Sequence, residues 1–211
     1  MIAGDRWREE IDTQLRESAR VKLRAADQCG DDIMRAAQVI VYRLGEGGKL
    51  LICGNGGSAA DAQHIAAELI GRLDKGLHRK ALPAIALTTD TSVLTALGND
   101  FGFDAVFQRQ LQALVRPGDV LLLLTTSGLS PNLLRAVPEA RARGAYTVAL
   151  TGDGECALAP LVDLRVAVPS ADTQRIQEAH IAIGHVICTL VEGMMAATEK
   201  EARWATGRTS A

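Results

Sequence analysis

The sequence predicts an α/β fold: a five-stranded parallel, flavodoxin-like sheet flanked by helices, with an N-terminal helical hairpin and a long C-terminal helix. Three observations carry this expectation. Five short, almost wholly apolar runs alternate with helical stretches through the middle of the chain, the pattern of strands covered on both faces by crossover helices. Apolar residues make up 47% of the chain but aromatics only 3%, so the core must be assembled from Ala, Leu, Ile and Val, which suits helices packed closely on a sheet. The 211 residues contain no internal repeat and no clear linker, and a single domain over residues 1–211 is the economical reading.

Taken in order, residues 1–47 are assigned to the N-terminal helices. From about Arg6 to Gln28 the pattern is charge-rich, with apolar spots at Ile11, Leu15 and Val21. From Asp31, an N-cap residue type, to Leu44 it is more uniformly apolar, and Gly45-Glu-Gly-Gly48 ends it. Residues 48–170 form the parallel core. Its expected strands are Lys49–Cys53, Ala84–Thr88, Val120–Thr125, Tyr146–Leu150 and Leu164–Val168. Its expected helices cover about Ala59–Arg72, Val93–Leu97, Asp104–Val115 and Asn132–Arg143, the last stopped by Gly144. Residues 171–200 form a long helix from about Asp172 to Glu199, with Ile176, Ile183, Val186, Ile187, Leu190 and Met194 as its apolar positions. Residues 201–211 are expected to fray or to touch a partner.

The formal net charge of -2 argues against a nucleic-acid or membrane partner. The four cysteines, Cys29, Cys53, Cys156 and Cys188, lack CxxC spacing and are expected to be free thiols in a reducing compartment. With neither a signal peptide nor a long unbroken apolar segment, the expected location is the cytoplasm.

Chemistry concentrates where strands meet helices. Leu51-Ile-Cys-Gly-Asn-Gly-Gly-Ser58 is an apolar run ending in a glycine-rich turn that opens a helix. Such a turn points backbone N–H groups at an anion, with the helix dipole behind them, and Ser58 is an expected N-cap. A second loop, Thr125-Thr-Ser-Gly-Leu-Ser130, supplies four hydroxyls and a glycine, with Ser130-Pro131 as cap and first helical residue. In a sheet of order 2-1-3-4-5, strands one and three are neighbours at the switch point, so both loops converge on one pocket. Turns of this kind can also do no more than connect and cap, but the two together favour a phosphorylated ligand.

Two named phosphate folds fit poorly. A Walker loop needs a lysine that is absent here. Gly54-x-Gly56-x-x-Ala59 matches the relaxed dinucleotide fingerprint, with Asp90 as the ribose acid, but Asp90 lies further along the chain than that fingerprint expects.

One helical turn apart, His64 and Glu68 share a face and resemble half of an HxxxE metal pair or a catalytic acid/base pair. Gln177, Glu178, His180 and His185 form a second polar cluster on the otherwise apolar terminal helix. His180 is expected to be a hydrogen-bonded or interfacial histidine.

Together, Cys53-Gly-Asn-Gly-Gly-Ser58, Ala62-Gln-His-Ile-Ala-Ala-Glu-Leu69, Leu97-Gly-Asn-Asp-Phe-Gly102, the Thr125–Ser130 loop and Arg175-Ile-Gln-Glu-Ala-His180 resemble the sugar isomerase (SIS) fold and, more narrowly, the phosphoheptose isomerases. The resemblance runs in the family's order from about residue 8 to 200. It implies an aldose–ketose isomerase that converts D-sedoheptulose 7-phosphate to D-glycero-D-manno-heptose 7-phosphate. Its catalytic glutamate and histidine fall on Glu68 and His185, with Glu68 as the proton shuttle. Substrate contacts fall on Asn55, Gly56, Gly57, Ser58, Glu68, Asn99, Asp100, Thr125, Thr126, Ser127, Ser130 and Gln177. One zinc ion per subunit is implied, on positions His64, Glu68, Gln177 and His185, where it would polarise the carbonyl. A homotetramer with sites between subunits is implied as well.

This sequence departs from the family at Thr125, usually serine, and at Leu129, usually asparagine. The alternative of another class is a non-catalytic SIS protein that binds the bacterial replication initiator DnaA. Such proteins share Gly-Asn-Gly-Gly-Ser-Ala-Ala but generally lack the glutamate and histidine that stand here as Glu68 and His185.

Overall fold

The computed structural model describes the backbone of residues 3–205 and the side-chain burial of residues 6–198. In chain order the elements are α1 (Ala3–Gly45), β1 (Leu50–Gly54), α2 (Gly57–Ile70), β2 (Ala84–Ala86), α3 (Thr91–Phe101), a 3-10 turn (Phe103–Ala105), α4 (Val106–Leu114), β3 (Val120–Leu124), α5 (Pro131–Ala142), β4 (Tyr146–Gly152), β5 (Leu164–Val168) and α6 (Thr173–Ala205). The five strands form one sheet in the order β2-β1-β3-β4-β5, and every pairing is parallel. This is the flavodoxin-like arrangement the strand pattern predicts, and it places the end of β1 beside the end of β3, Gly54 opposite Leu124.

The apolar runs are buried because each face of the sheet has a cover. One face, through Leu50, Ile52, Leu122, Leu124, Leu150 and Val166, packs under α1, α2 and α6. The other, through Leu51, Cys53, Leu121, Leu123 and Ala149, packs under α4 and α5. Alternate residues of β1 and β3 therefore serve opposite layers, which is why these strands read as unbroken hydrophobic runs.

The expected N-terminal hairpin is instead one continuous helix, α1, of 43 residues. Val21, Ala25, Cys29, Ile33, Ala36, Ile40 and Leu44 are all buried, and their spacing of three or four keeps one stripe in phase straight through Asp31. Packing of that stripe on α6 and β5 overrides the capping tendency of Asp31. At the other end, α6 extends to Ala205, beyond the expected end of the terminal helix and into the expected tail; residues 206–211 lie outside the described residues.

By length and composition the stretch Thr173–Thr198 of α6 meets the test for a membrane-spanning helix. It is the core helix of this fold, and it carries the buried charged residues Arg175 and Glu192 against its neighbours. The four cysteines are free, with Cys29, Cys53 and Cys188 buried.

Candidate active site

The two loops at the carboxyl ends of β1 and β3 meet as their sequences predict. They are joined by a reciprocal amide pair: Asn55 Nδ2 donates to Asn132 Oδ1 at 3.0 Å, and Asn132 Nδ2 donates to Asn55 Oδ1 at 2.9 Å. Asn132 is buried in the first turn of α5, so a rigid element fixes the first loop. Gly56 has φ of +56° and is the N-cap of α2, with no side-chain cap. Ser58 is therefore not the cap. The turn out of β1 is so tight that the helix begins at Gly57 and Ser58 is buried within it.

In the second loop, Thr125 Oγ1 accepts from Gly128 N at 3.1 Å and Ser127 Oγ accepts from Leu129 N at 3.2 Å. Gly128, at φ +66°, lies so close to Cys156 that no Cβ fits there. Ser130 caps α5 ahead of Pro131 without a side-chain hydrogen bond. Thr125 is buried, Thr126 and Ser130 are half-buried, and Ser127 is exposed.

Asn99 and Asp100 lie at the exposed end of α3, where Asn99 Nδ2 donates to Asp100 Oδ1 at 2.8 Å; among the described residues no hydrogen bond ties them to either loop. Asp90 accepts from Val93 N at 2.9 Å as the N-cap of α3. That role leaves the dinucleotide fingerprint without its ribose acid.

Helices α2 and α6 run side by side in the same direction. The amide of Gln177 lies against Gly57, and Ile65 lies against Gly184. One step on, His64 Nε2 stands 2.8 Å from His185 Nε2, with ring centroids 4.9 Å apart in an edge-on arrangement. Glu68 Oε1 is 3.2 Å from His64 Nε2. At 2.8 Å the two ring nitrogens are within hydrogen-bond distance beside a carboxylate, the roles of donor and acceptor being set by the tautomers.

One donor atom from each of His64, Glu68 and His185 lies within 4.8 Å of the others. Two imidazoles and a carboxylate are zinc-type ligands, so this trio fits the implied metal. Gln177 of the same chain is at Gly57 instead, about 12 Å of helix rise from His185.

Asp61, one turn before His64 on α2, was not foreseen. Burial raises its carboxyl above the ordinary range, while the nearby His64 and His185 pull it back. His180 is fully buried, with Nε2 3.3 Å from Thr151 O. Burial pushes its pKa down to about 4, which makes it a neutral core histidine, as expected.

Comparison with known proteins agrees with this fold. The SIS domain family matches residues 15–152. A phosphoheptose isomerase of Aquifex aeolicus is 52% identical over 187 residues, covering 89% of this chain and 97% of that protein. The chain belongs to the phosphoheptose isomerase family. That family consists of aldose–ketose sugar-phosphate isomerases. Among solved structures, a phosphoheptose isomerase from Neisseria gonorrhoeae is 43% identical with a TM-score of 0.83, covering 89% of this chain and 99% of that one. Another, from Francisella tularensis, is 38% identical with a TM-score of 0.84, covering 88% and 97%.

Against the family motifs, sequence reasoning missed Asn132, which follows Ser130-Pro131 directly and could have been read as a loop anchor. It also missed Glu192, whose signal was a lone acid on an apolar helix, and Arg79, which carried no signal at all.

Proposed function

We propose that this chain interconverts D-sedoheptulose 7-phosphate and D-glycero-D-manno-heptose 7-phosphate, with Glu68 as proton shuttle and His185 as acid/base. The observation that carries the reading is the convergence of Glu68 and His185, from two different helices, around His64. Isomerisation needs one carbon-bound proton moved by one carbon. Glu68 takes a proton from C1 of the ketose, and the electron pair forms the C1=C2 bond of an enediol as O2 gains a proton. The proton then returns from Glu68 to C2, O1 loses its proton, and C1 becomes the carbonyl. His185 moves the oxygen-bound protons. No oxidant or reductant is consumed.

The phosphate goes to the loop pair, where the N-terminus of α2 and the hydroxyls of Thr125, Thr126, Ser127 and Ser130 receive it; Asn55, Gly56, Gly57, Ser58 and Gln177 line the same mouth, and Asn99 and Asp100 complete the substrate contacts. His64 lies seven residues, about 10 Å of helix rise, beyond Gly57. That span supports a long sugar phosphate, whose reacting carbons stand well away from its ester. A zinc ion bound by His64, Glu68 and His185 would polarise the carbonyl, while Gln177 of the same chain stays at the loop mouth against Gly57.

Sites between subunits of a cytoplasmic homotetramer belong to the same proposal. Trp7, Ile11 and Leu15 on α1 are exposed at i, i+4, i+8 spacing, which supports a helix face made for another copy. The alternative of a DnaA-binding module requires neither Glu68 nor His185.

The test is incubation with sedoheptulose 7-phosphate in D2O, with and without zinc and chelator, followed by NMR. Aldose carrying deuterium at C2 is the expected product. Absence of both conversion and exchange overturns the proposal. Light scattering checks the assembly against four times 22.4 kDa.

A further inference from the structure

We infer that Arg79 and Glu192 act as a positioning clamp that sets Glu68 against His185. Both side chains are almost fully buried, at 2% and 1% exposure. Arg79 follows α2 in the connection to β2, and Glu192 lies on α6 two turns after His185.

The guanidinium uses all five of its N–H groups. Nε and Nη2 donate to Glu192. Nη2 also donates to Glu68 O at 2.9 Å, and Nη1 donates to Leu69 O at 2.8 Å and Lys80 O at 2.9 Å. The carbonyls of Glu68 and Leu69 are in the last turn of α2, where no intrahelical partner remains. Arg79 is thus the cationic cap of the helix that carries Glu68, attached at the Glu68 peptide itself. Glu192 completes the tie: it also accepts from Leu73 N at 2.9 Å and Asp74 N at 3.1 Å. Burial pushes its carboxyl up, but these two amides and Arg79 outweigh burial and hold it below the ordinary carboxylate range.

The clamp therefore joins the end of α2, at Glu68 itself, to the body of α6 two turns past His185. A second fixed point lies within the trio, where Gly184, next to His185, leaves room only for Ile65, between His64 and Glu68. These two contacts, one beside His185 and one at the Glu68 peptide, determine both the spacing and the rotation of the helices. Catalytic geometry is sensitive at this scale, since a displacement of about 1 Å can cost on the order of a hundredfold in rate.

This inference rests on the proposed catalytic roles, and the experiment separates the two. In Arg79→Met/Glu192→Met both charges leave together, so no unpaired buried charge remains, although the backbone groups the pair satisfied lose these partners. The chain has four histidines, so 15N NMR follows His64 and His185 directly, with buried His180 as internal reference.

The expected result is a folded variant with kcat down by about tenfold or more, KM nearly unchanged, and displaced His64 and His185 resonances. Glu192→Gln, which removes the charge and keeps one acceptor oxygen where the carboxylate offers two to Leu73 N and Asp74 N, should fall between this variant and wild type. Wild-type kcat with unmoved resonances in the folded double variant overturns the clamp. If the double variant does not fold, the same result in Glu192→Gln overturns it. Resonances that move in the variants while the wild-type chain fails to isomerise sedoheptulose 7-phosphate leave the clamp standing and remove the catalytic reading.

Discussion

His64 Nε2 and His185 Nε2 stand 2.8 Å apart although 121 positions separate them in the chain. Glu68 closes the group from the His64 side at 3.2 Å, so a carboxylate and a pair of imidazoles in contact occupy one end of the α2–α6 contact. The other end, where Gln177 lies against Gly57, opens on the two loops at the switch point. The loop mouth and the His64–Glu68–His185 group are thus two helical turns apart on the same pair of helices.

Replacing Glu68 with Gln keeps the shape but removes the base. Turnover should fall roughly a thousandfold, while binding of a sugar phosphate, measured by calorimetry, stays within a few-fold of wild type. Near-normal kcat in this variant would assign the proton shuttle to another group.

The amide pair of Asn55 and Asn132 is expected to govern substrate affinity. Asn132→Ala leaves both polar ends of a half-buried Asn55 amide without their partner, at a stability cost of about 1–3 kcal/mol. Because Asn132 is what anchors the first loop to α5, KM should rise by about tenfold or more, with kcat changing much less. Steady-state kinetics together with urea titration check both parts.

His180 makes stability depend on acidity. Unfolded, the imidazole takes up a proton near its ordinary value of 6.5; folded, it stays neutral down to about 4. Between these values the unfolded chain binds more protons, so stability falls as pH drops, by up to on the order of 3 kcal/mol across the window. Urea midpoints at pH 7 and pH 4.5 measure the fall. His180→Leu should flatten it, and an unchanged slope in that variant would place the titration elsewhere.

Zinc should raise the melting temperature of the wild-type chain. At a hundredfold excess over its dissociation constant, a ligand adds about 2.7 kcal/mol to the folded state. His64→Ala and His185→Ala should each lose this response, and chelator should return wild type to its metal-free midpoint. Equal zinc responses in all three proteins would exclude the trio as the metal site.

What the sequence by itself determined is whatever local periodicity and short motifs encode. Strand β5 falls at Leu164–Val168 as read, and the other strands shift only at their ends, because a run of apolar residues that must be covered on both faces has few other uses. The two loops that meet at the ends of β1 and β3 were legible for the same reason: glycines and hydroxyls at the end of such a run have a local meaning. Tertiary structure decided the rest. It carried α1 straight through Asp31, because a stripe packed on α6 outweighs a local capping preference. It moved the cap of α2 from Ser58 to Gly56, because the turn leaves β1 at once. It brought His64 to His185 and Arg79 to Glu192, pairings that depend on two helices lying parallel, and no short-range pattern reports how distant segments are set against each other.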